Sequence, residues 1–439
     1  TQDPPVTDDR SNILYIIADQ QAATLLSCAG NTHLATPNMD RLAASGVRFE
    51  RAYCTNPVCV PSRFSQMTGR MPSDFGVRSD AGRAGDTDEE ILAASFGRRL
   101  RDAGYRCLFG GKPNWLSGMT GDMLGFEDLG RACRGDLADL CVEFLGQEHD
   151  QPFCLCASFI NPHDICFVTI DAYHDEQRER FQESSPSEFA LVRELARPPA
   201  GVSPEEFAAM LPPLPANFEP QADEPEKIHY LLDQRPFRRH ARDNWTEHDW
   251  RLHRWVYHRL AERVDQHIGR VLDALDANGL ADNTLVVFTS DHGDHDASHR
   301  LEHKTVLYEE AARVPLIIRS PGQAAPGRVD REHLVSNGLD LAPTLCDYAG
   351  LAPHPSLPGL SLRPLVAGEQ PDGWRSYLPV ENEIGRMLHF GDTKYLCYDS
   401  GAHAEQFADL VNDPGETRNH LDHPELPAAR ALAERVWSQ

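Results

Sequence analysis

The chain lacks any uninterrupted apolar run near the roughly 20 residues that a helix needs to cross a membrane. It also lacks a basic excess: 42 lysines and arginines face 67 aspartates and glutamates, for a net charge of -25. A nucleic-acid binder needs a basic face to neutralise phosphates, so the charge argues against that class, as the missing run does against a membrane-spanning helix. A small anionic substrate is not excluded, because a few local cations set the field inside a pocket. The 11 cysteines show no repeated metal-ligand spacing, and no His-Glu-x-x-His segment is present. Cys154 and Cys156 lie two apart in an apolar run that reads as a strand, so they point the same way and read as small core residues, not a redox pair. The start, TQDPPVTDDR, is polar and shows no leader. Numbering begins at Thr1, which is compatible with a leader already removed, and a periplasmic or secreted location is expected ahead of a cytoplasmic one.

What is present is length for one large core with a smaller attached domain, 439 residues in all. Four apolar runs each end in polar residues of a catalytic type. SNILYIIADQ ends in Asp19 and Gln20, YRCLFGGKPN in Lys112 and Asn114, PFCLCASFINPHD in Asn161, His163 and Asp164, and NTLVVFTSDHGDH in Asp291 and His292. Continuous aliphatic runs of this kind suit parallel strands buried on both faces. Helices are predicted between them: NMDRLAASG stopping at Gly46, EEILAASFGRRLRDAGY, and a long one from Trp250 to Leu275. The last carries Leu252, Val256, Leu260, Val264, Ile268, Val271 and Leu275 on one stripe. Such alternation implies an α/β fold with a mostly parallel sheet, which binds ligands beyond the carboxyl ends of its strands. All four polar clusters fall at that edge. Residues 164–244 read as a long excursion from the sheet, and the Pro- and Gly-rich stretch after LDLAPTLCDYAG leads into a small α+β domain. The expected boundaries are 1–365 and 366–439.

The most specific feature is Cys59-Val60-Pro61-Ser62-Arg63, followed by Thr68-Gly69-Arg70. Pro61 suits the first turn of a helix and places Cys59 at its positive end, where a thiol pKa falls and an anion is favoured. By itself this reads as a helix start with a buried cysteine ahead of a reactive one. The stretch resembles the sulfatase signature, in which this Cys is converted enzymatically to formylglycine. The resemblance extends over most of the chain, through TPNMDRLAASGVRFERAYCTNP, VLYEEAARVPLIIRSPG and LDLAPTL. It implies an alkaline-phosphatase-like α/β fold and hydrolysis of sulfate esters. The hydrated aldehyde supplies one hydroxyl to attack sulfur and a second to expel sulfate, which is covalent catalysis in two displacements. It also implies a maturation partner, a formylglycine-generating or anaerobic sulfatase-maturating enzyme.

The resemblance assigns Asp19, Gln20, Asp291, His292 and modified Cys59 to a metal, Ca²⁺ by the oxygen-rich set. Gln20 and His292 stand where many relatives have Asp and Asn. They resemble choline sulfatases and phosphonate monoester hydrolases instead, and leave Mn²⁺ or another divalent ion open. Arg63 is expected to orient the diol, Lys112 and Lys304 to neutralise sulfate oxygens, and His163 to protonate the leaving group. Asn114 stands where relatives carry a His that serves as base, a task an amide cannot perform. His295, His299 or His303 are the candidates to replace it. Their spacing of four also suggests a separate Zn²⁺ site if that segment were helical. The expected substrate is a sulfated sugar, held by Arg238 and Arg239 with Asn114 and His299. The basic run also includes Arg235, His240 and Arg242, and Trp245, Trp250 and Trp255 are expected to stack on sugar rings. The competing readings are a phosphonate or phosphodiester hydrolase on the same scaffold, and a binding protein in which Cys59 stays unconverted.

Overall fold

A computed structural model describes residues 10–80 and 88–438; the first nine residues of the chain lie outside them. Eight strands form the main sheet, in the order Glu127–Gly130, Arg106–Gly111, Phe153–Pro162, Asn12–Asp19, Thr284–Ser290, Leu316–Arg319, Val47–Phe49, Arg328–Asp330. Neighbours run parallel except where Leu316–Arg319 meets the strands on either side of it. The central strand Asn12–Asp19 is buried along its whole length, as a sheet covered on both faces requires. Register brings the chemistry together: Asp19 lies opposite Pro162, Ala18 opposite Ser290, and Gly111 opposite Ser158. Lys112, His163 and Asp291 are the next residues after those strands or their partners, so the four polar clusters share one edge.

The long helix spans Glu247–Ala277, and its N-terminus is closed by a capping box between Thr246 and Asp249. Val264, Ile268, Val271 and Leu275 of its stripe pack with Leu14, Ile16, Phe159 and Phe288 in one core cluster. Each such fully buried side chain contributes about 1.5–3 kcal/mol. Cys154 and Cys156 lie in the opposite core cluster, both fully buried and unbridged, as small core residues.

One helix expectation needs correction, and another holds for a different local reason. The segment read as one helix divides into Glu89–Ala93 and Phe96–Asp102, with Ser95 extended between them and its hydroxyl donated to Leu124 O. Gly46 does follow the helix Pro37–Ser45, but its backbone is extended and not left-handed. Its lack of a side chain is demanded from outside: a Cβ there would stand 2.4 Å from Ile318 O.

The excursion folds into six helices, among them Glu226–Asp233 and Pro236–Asn244. The C-terminal part is an antiparallel sheet of Tyr377–Asn382, Gly385–Phe390, Thr393–Tyr398 and Glu405–Asp409, covered by the helix Leu426–Trp437. The expected boundary at 365/366 falls within the helix Arg363–Ala367. Leu378, Val380 and Met387 of this sheet share a core with Ile228, Leu232 and Leu307, so it packs against the excursion and the loop that carries Lys304.

Candidate functional site

Cys59 is the first residue of the helix Cys59–Thr68 and is 2 % exposed. The position at the helix start agrees with the sequence reading, but the expected fall in thiol pKa does not. Burial, reinforced by Asp19, pushes the Cys59 thiol up to about 12 against the pull of Lys112 and Lys304. Cys59 is therefore no thiolate nucleophile at neutral pH. Its sulfur is surrounded by polar groups: Lys304 Nζ at 2.6 Å, His292 Nε2 at 3.3 Å, Lys112 Nζ at 3.8 Å and Asp19 Oδ1 at 3.9 Å.

Arg63, one turn further along the same helix and 1 % exposed, ties the two carboxylates together. Its Nε donates to Asp291 Oδ2 and one terminal nitrogen to Asp19 Oδ2, both at 2.8 Å. The other terminal nitrogen donates to Ser158 Oγ at 2.6 Å and Lys112 O at 3.0 Å. Burial alone would raise the Asp19 pKa, but Lys112, His163, Arg63 and Lys304 outweigh it and hold the carboxyl well below its usual range. Lys112 Nζ stands 2.6 Å from Asp19 Oδ2. Burial, helped by Lys112, takes His163 well below the ordinary imidazole range, so the ring is neutral in the free protein.

Asp19, Cys59, Asp291 and His292 offer ligand atoms that all lie within 4.8 Å of one another, every one buried. Two carboxylates, a neutral imidazole and the residue at 59 are a donor set that fits a divalent cation. The cysteine sulfur there stands in for whatever oxygen the modified side chain would present. Among the described residues this is the one such cluster. Gln20 is close by but otherwise engaged: its side-chain amide donates to Asp294 Oδ2 at 2.7 Å, and its backbone N–H to Asp291 Oδ1 at 3.0 Å. Asp294 went unmarked in the sequence, although it sits in the same DHGDH segment.

The histidine-rich segment is a loop and not a helix. His299 and His303 have φ of 55° and 66°, and only Ser298–Arg300 makes a short 3-10 turn, so the three histidines share no helical face. His299 stacks on Tyr308 with its Nε2 3.4 Å from Asn217 Nδ2, away from the cavity beside Lys304. His295 is buried with both ring nitrogens unpartnered, and His303 pairs with Glu302. Asn114 takes a φ of 43° after the Lys112 strand and does not line that cavity.

That cavity, about 350 Å³, opens beside Val58, Lys304 and Thr305 and is walled by Lys227, Tyr230, Arg235 and Arg238 of the excursion and by Glu383 of the C-terminal sheet. Arg238 is thus placed beside Lys304. Arg239 is not, since its guanidinium pairs with Asp233 at 2.9 Å and donates to His229 O. The tryptophans also fall elsewhere. Trp250 is 1 % exposed in a cluster with Ala241 and Ala297, and Trp255 is 7 % exposed with its indole N–H donated to Leu195 O. Trp245 packs edge-on against Trp250. Trp250 and Trp255 lie on the long helix, whose flanks here are covered by the excursion, and Trp245 precedes it. Asp80 and Glu383 in the wall were beyond sequence reasoning, because they come from segments distant in the chain.

Residues 11–351 match the Sulfatase family, and residues 297–438 match the C-terminal region of N-sulphoglucosamine sulphohydrolase. A Delta 4,5-hexuronate-2-O-sulfatase of Bacteroides thetaiotaomicron is 28 % identical over 97 % of this chain and 87 % of its own length. The solved structure of a 2-O GAG sulfatase superposes with a TM-score of 0.81 at 26 % identity, covering 98 % of this chain and 91 % of that one. The phosphonate monoester hydrolase of Agrobacterium radiobacter shares the fold, with a TM-score of 0.74 at 23 % identity over 98 % and 95 % of the two chains. No helix among the described residues is long and apolar enough to cross a membrane. With the signature cysteine at the head of a buried helix, and the family match running through every strand of the main sheet, this chain belongs to the sulfatase family.

Proposed function

We propose that the chain hydrolyses sulfate esters of saccharides, with formylglycine made from Cys59 as nucleophile. The observation that carries this reading is convergence: two lysine ammonium groups, a carboxylate and an imidazole meet at the one side chain of the signature. Lys112 and Lys304 offset the charge of sulfate oxygens, which are most negative as the ester bond breaks. Arg63 holds Asp19 and Asp291 in register with the nucleophile. His163 is neutral in the free protein; a bound anion raises its pKa toward the range a leaving-group acid needs. Asp19, Asp291, His292 and residue 59 would hold a divalent cation, Ca²⁺ by the carboxylates, with Mn²⁺ also compatible with the imidazole nitrogen. When bound, the cation supplies polarisation of the sulfate oxygens.

Conversion of Cys59 is assigned to a formylglycine-generating or anaerobic sulfatase-maturating enzyme. Cys59 is only 2 % exposed in the folded chain, which supports oxidation before the Cys59–Thr68 helix packs. The test is co-expression with a formylglycine-generating enzyme, peptide mass spectrometry across Cys59, and assays of 4-nitrophenyl sulfate, sulfated sugars and a phosphonate monoester. The expected outcome is an aldehyde at position 59 and faster sulfate than phosphonate release. Full activity with an unmodified thiol, or a preference for the phosphonate ester, overturns the reading.

A further inference from the structure

Resting on that sulfatase reading, we infer that the leaving group carries a second anion, a carboxylate or another sulfate, held by Arg235 and Arg238 in the cavity beside Lys304. The reasoning starts from charge pairing. In a chain where acidic residues outnumber basic ones 67 to 42, arginines near other parts of the excursion find carboxylates readily. Arg239 pairs with Asp233, Arg242 with Glu224 at 2.6 Å, and Arg134 with Asp164 at 2.7 Å. The cations facing this cavity are different. The Arg235 side chain makes one hydrogen bond, to the carbonyl of the adjacent Gln234, and has no ion pair within 4 Å among the described residues, Glu383 across the cavity being a carboxylate that its charge influences. Lys227 lies over the Tyr230 ring, with Ser400 Oγ 3.5 Å from its Nζ.

Arg238 has a loose ion pair, Nε to Glu302 Oε1 at 3.5 Å, and neither atom has a hydrogen-bond partner. Its side chain is 15 % exposed, and it lines the cavity together with Lys304. A partly desolvated guanidinium without a tight partner is costly to maintain, and a planar anion would complete it with paired hydrogen bonds. Asp80 and Glu383 on the same cavity would repel that anion and accept hydrogen bonds from sugar hydroxyls instead. The leaving group is thereby oriented: scissile sulfate at Lys304, second anion at Arg235 and Arg238, hydroxyls toward Asp80 and Glu383. At about 350 Å³ the cavity suits one or two sugar units, within the usual size of small-molecule sites.

The experiment compares four esters with the converted full-length enzyme: 4-nitrophenyl sulfate, a 2-O-sulfated hexuronate, the same sugar with its carboxylate reduced to an alcohol, and a hexose disulfate. The wild-type protein is expected to favour at least one doubly anionic sugar over the reduced one by about 30-fold or more in kcat/KM, mostly through KM. The carboxylate and disulfate arms identify which anion is read. Arg238→Gln and the solvent-exposed Arg235→Gln should each shrink that ratio towards one, while Arg239→Gln keeps it. Because Arg235 is exposed, its variant reports even if Arg238→Gln misfolds. A wild-type ratio near one, or a ratio that survives in both variants, overturns the inference while turnover of the aryl sulfate leaves the sulfatase reading standing. Failure to cleave any ester with Cys59 shown converted would overturn both.

Discussion

Among the buried charge clusters of the described residues, those around Cys59 and around Lys394 use the same ingredients to different ends. Around Cys59, Arg63, Lys112 and Lys304 face Asp19 and Asp291, a surplus of one positive charge aimed at a reactive side chain and bordered by a cavity. Where the C-terminal sheet meets the main domain, Lys394 is fully buried with Nζ 2.8 Å from Glu416 and 3.3 Å from Glu309. Glu309 is also paired with Arg313 and accepts from the Tyr53 hydroxyl, which is hydrogen-bonded in turn to His389 Nε2. That second network also borders a cavity, of about 700 Å³ and lined by Tyr53, Glu309, Arg313 and His389, but it balances its charge internally and converges on no nucleophile. Buried charge and shifted pKa values are common to both; an unspent cation pointing at a reactive atom belongs to the first alone.

The largest expected effect breaks the first cluster. Asp291→Ala removes a cation ligand and leaves Arg63 Nε unpartnered, so kcat should fall on the order of 10³-fold. Metal content measured by elemental analysis should fall with it, and chelation of the wild-type protein should lower Tm, because an ion bound only by the folded state stabilises it. Full turnover from metal-free protein would erase the distinction between the two clusters.

Next comes the second cluster. Lys394→Met leaves the buried Glu416 without its cation and Glu309 with Arg313 alone, which should cost about 3–5 kcal/mol in urea unfolding. Turnover per folded molecule should stay near wild type, and adding Glu416→Gln should restore part of the stability. A loss of turnover larger than the loss of folded protein would show that the network serves the reaction after all.

The smallest effect sharpens the contrast through pH. Burial, opposed by Glu309, lowers the His389 pKa to about 3. Unfolded His389 titrates near 6.5, so between about pH 6.5 and 3 the unfolded chain binds the extra proton and stability falls as pH falls. The stabilisation is complete above 6.5. His389→Gln should flatten the stability slope in that window by up to about 1.4 kcal/mol per pH unit. Parallel slopes for the two proteins would remove His389 from the acid response.

Local pattern made much of this legible. A strand buried on both faces must be continuously apolar, so its polar end is conspicuous, and Asp19, Lys112, His163 and Asp291 stood out for that reason. The stripe from Val256 to Leu275 and the cysteine signature were equally local. Errors arose where a residue's neighbours come from elsewhere. Trp250 and Trp255 carry the composition of a sugar platform, yet they pack into the core because helix phase turns them inward. Arg238 and Arg239 are adjacent and chemically identical, and one faces the cavity while the other meets Asp233.

The amino-acid order by itself determined the α/β alternation, the edge of the sheet at which chemistry gathers, and the place of the signature cysteine. These depend on periodicity and on residues within one strand or one turn of helix. Tertiary structure alone decided the protonation of Cys59, the engagement of Gln20 with Asp294, and the cavity assembled from the excursion, the Lys304 loop and Glu383. Desolvation and Coulomb interactions depend on distances through space, and those distances exist only after segments hundreds of residues apart have packed together.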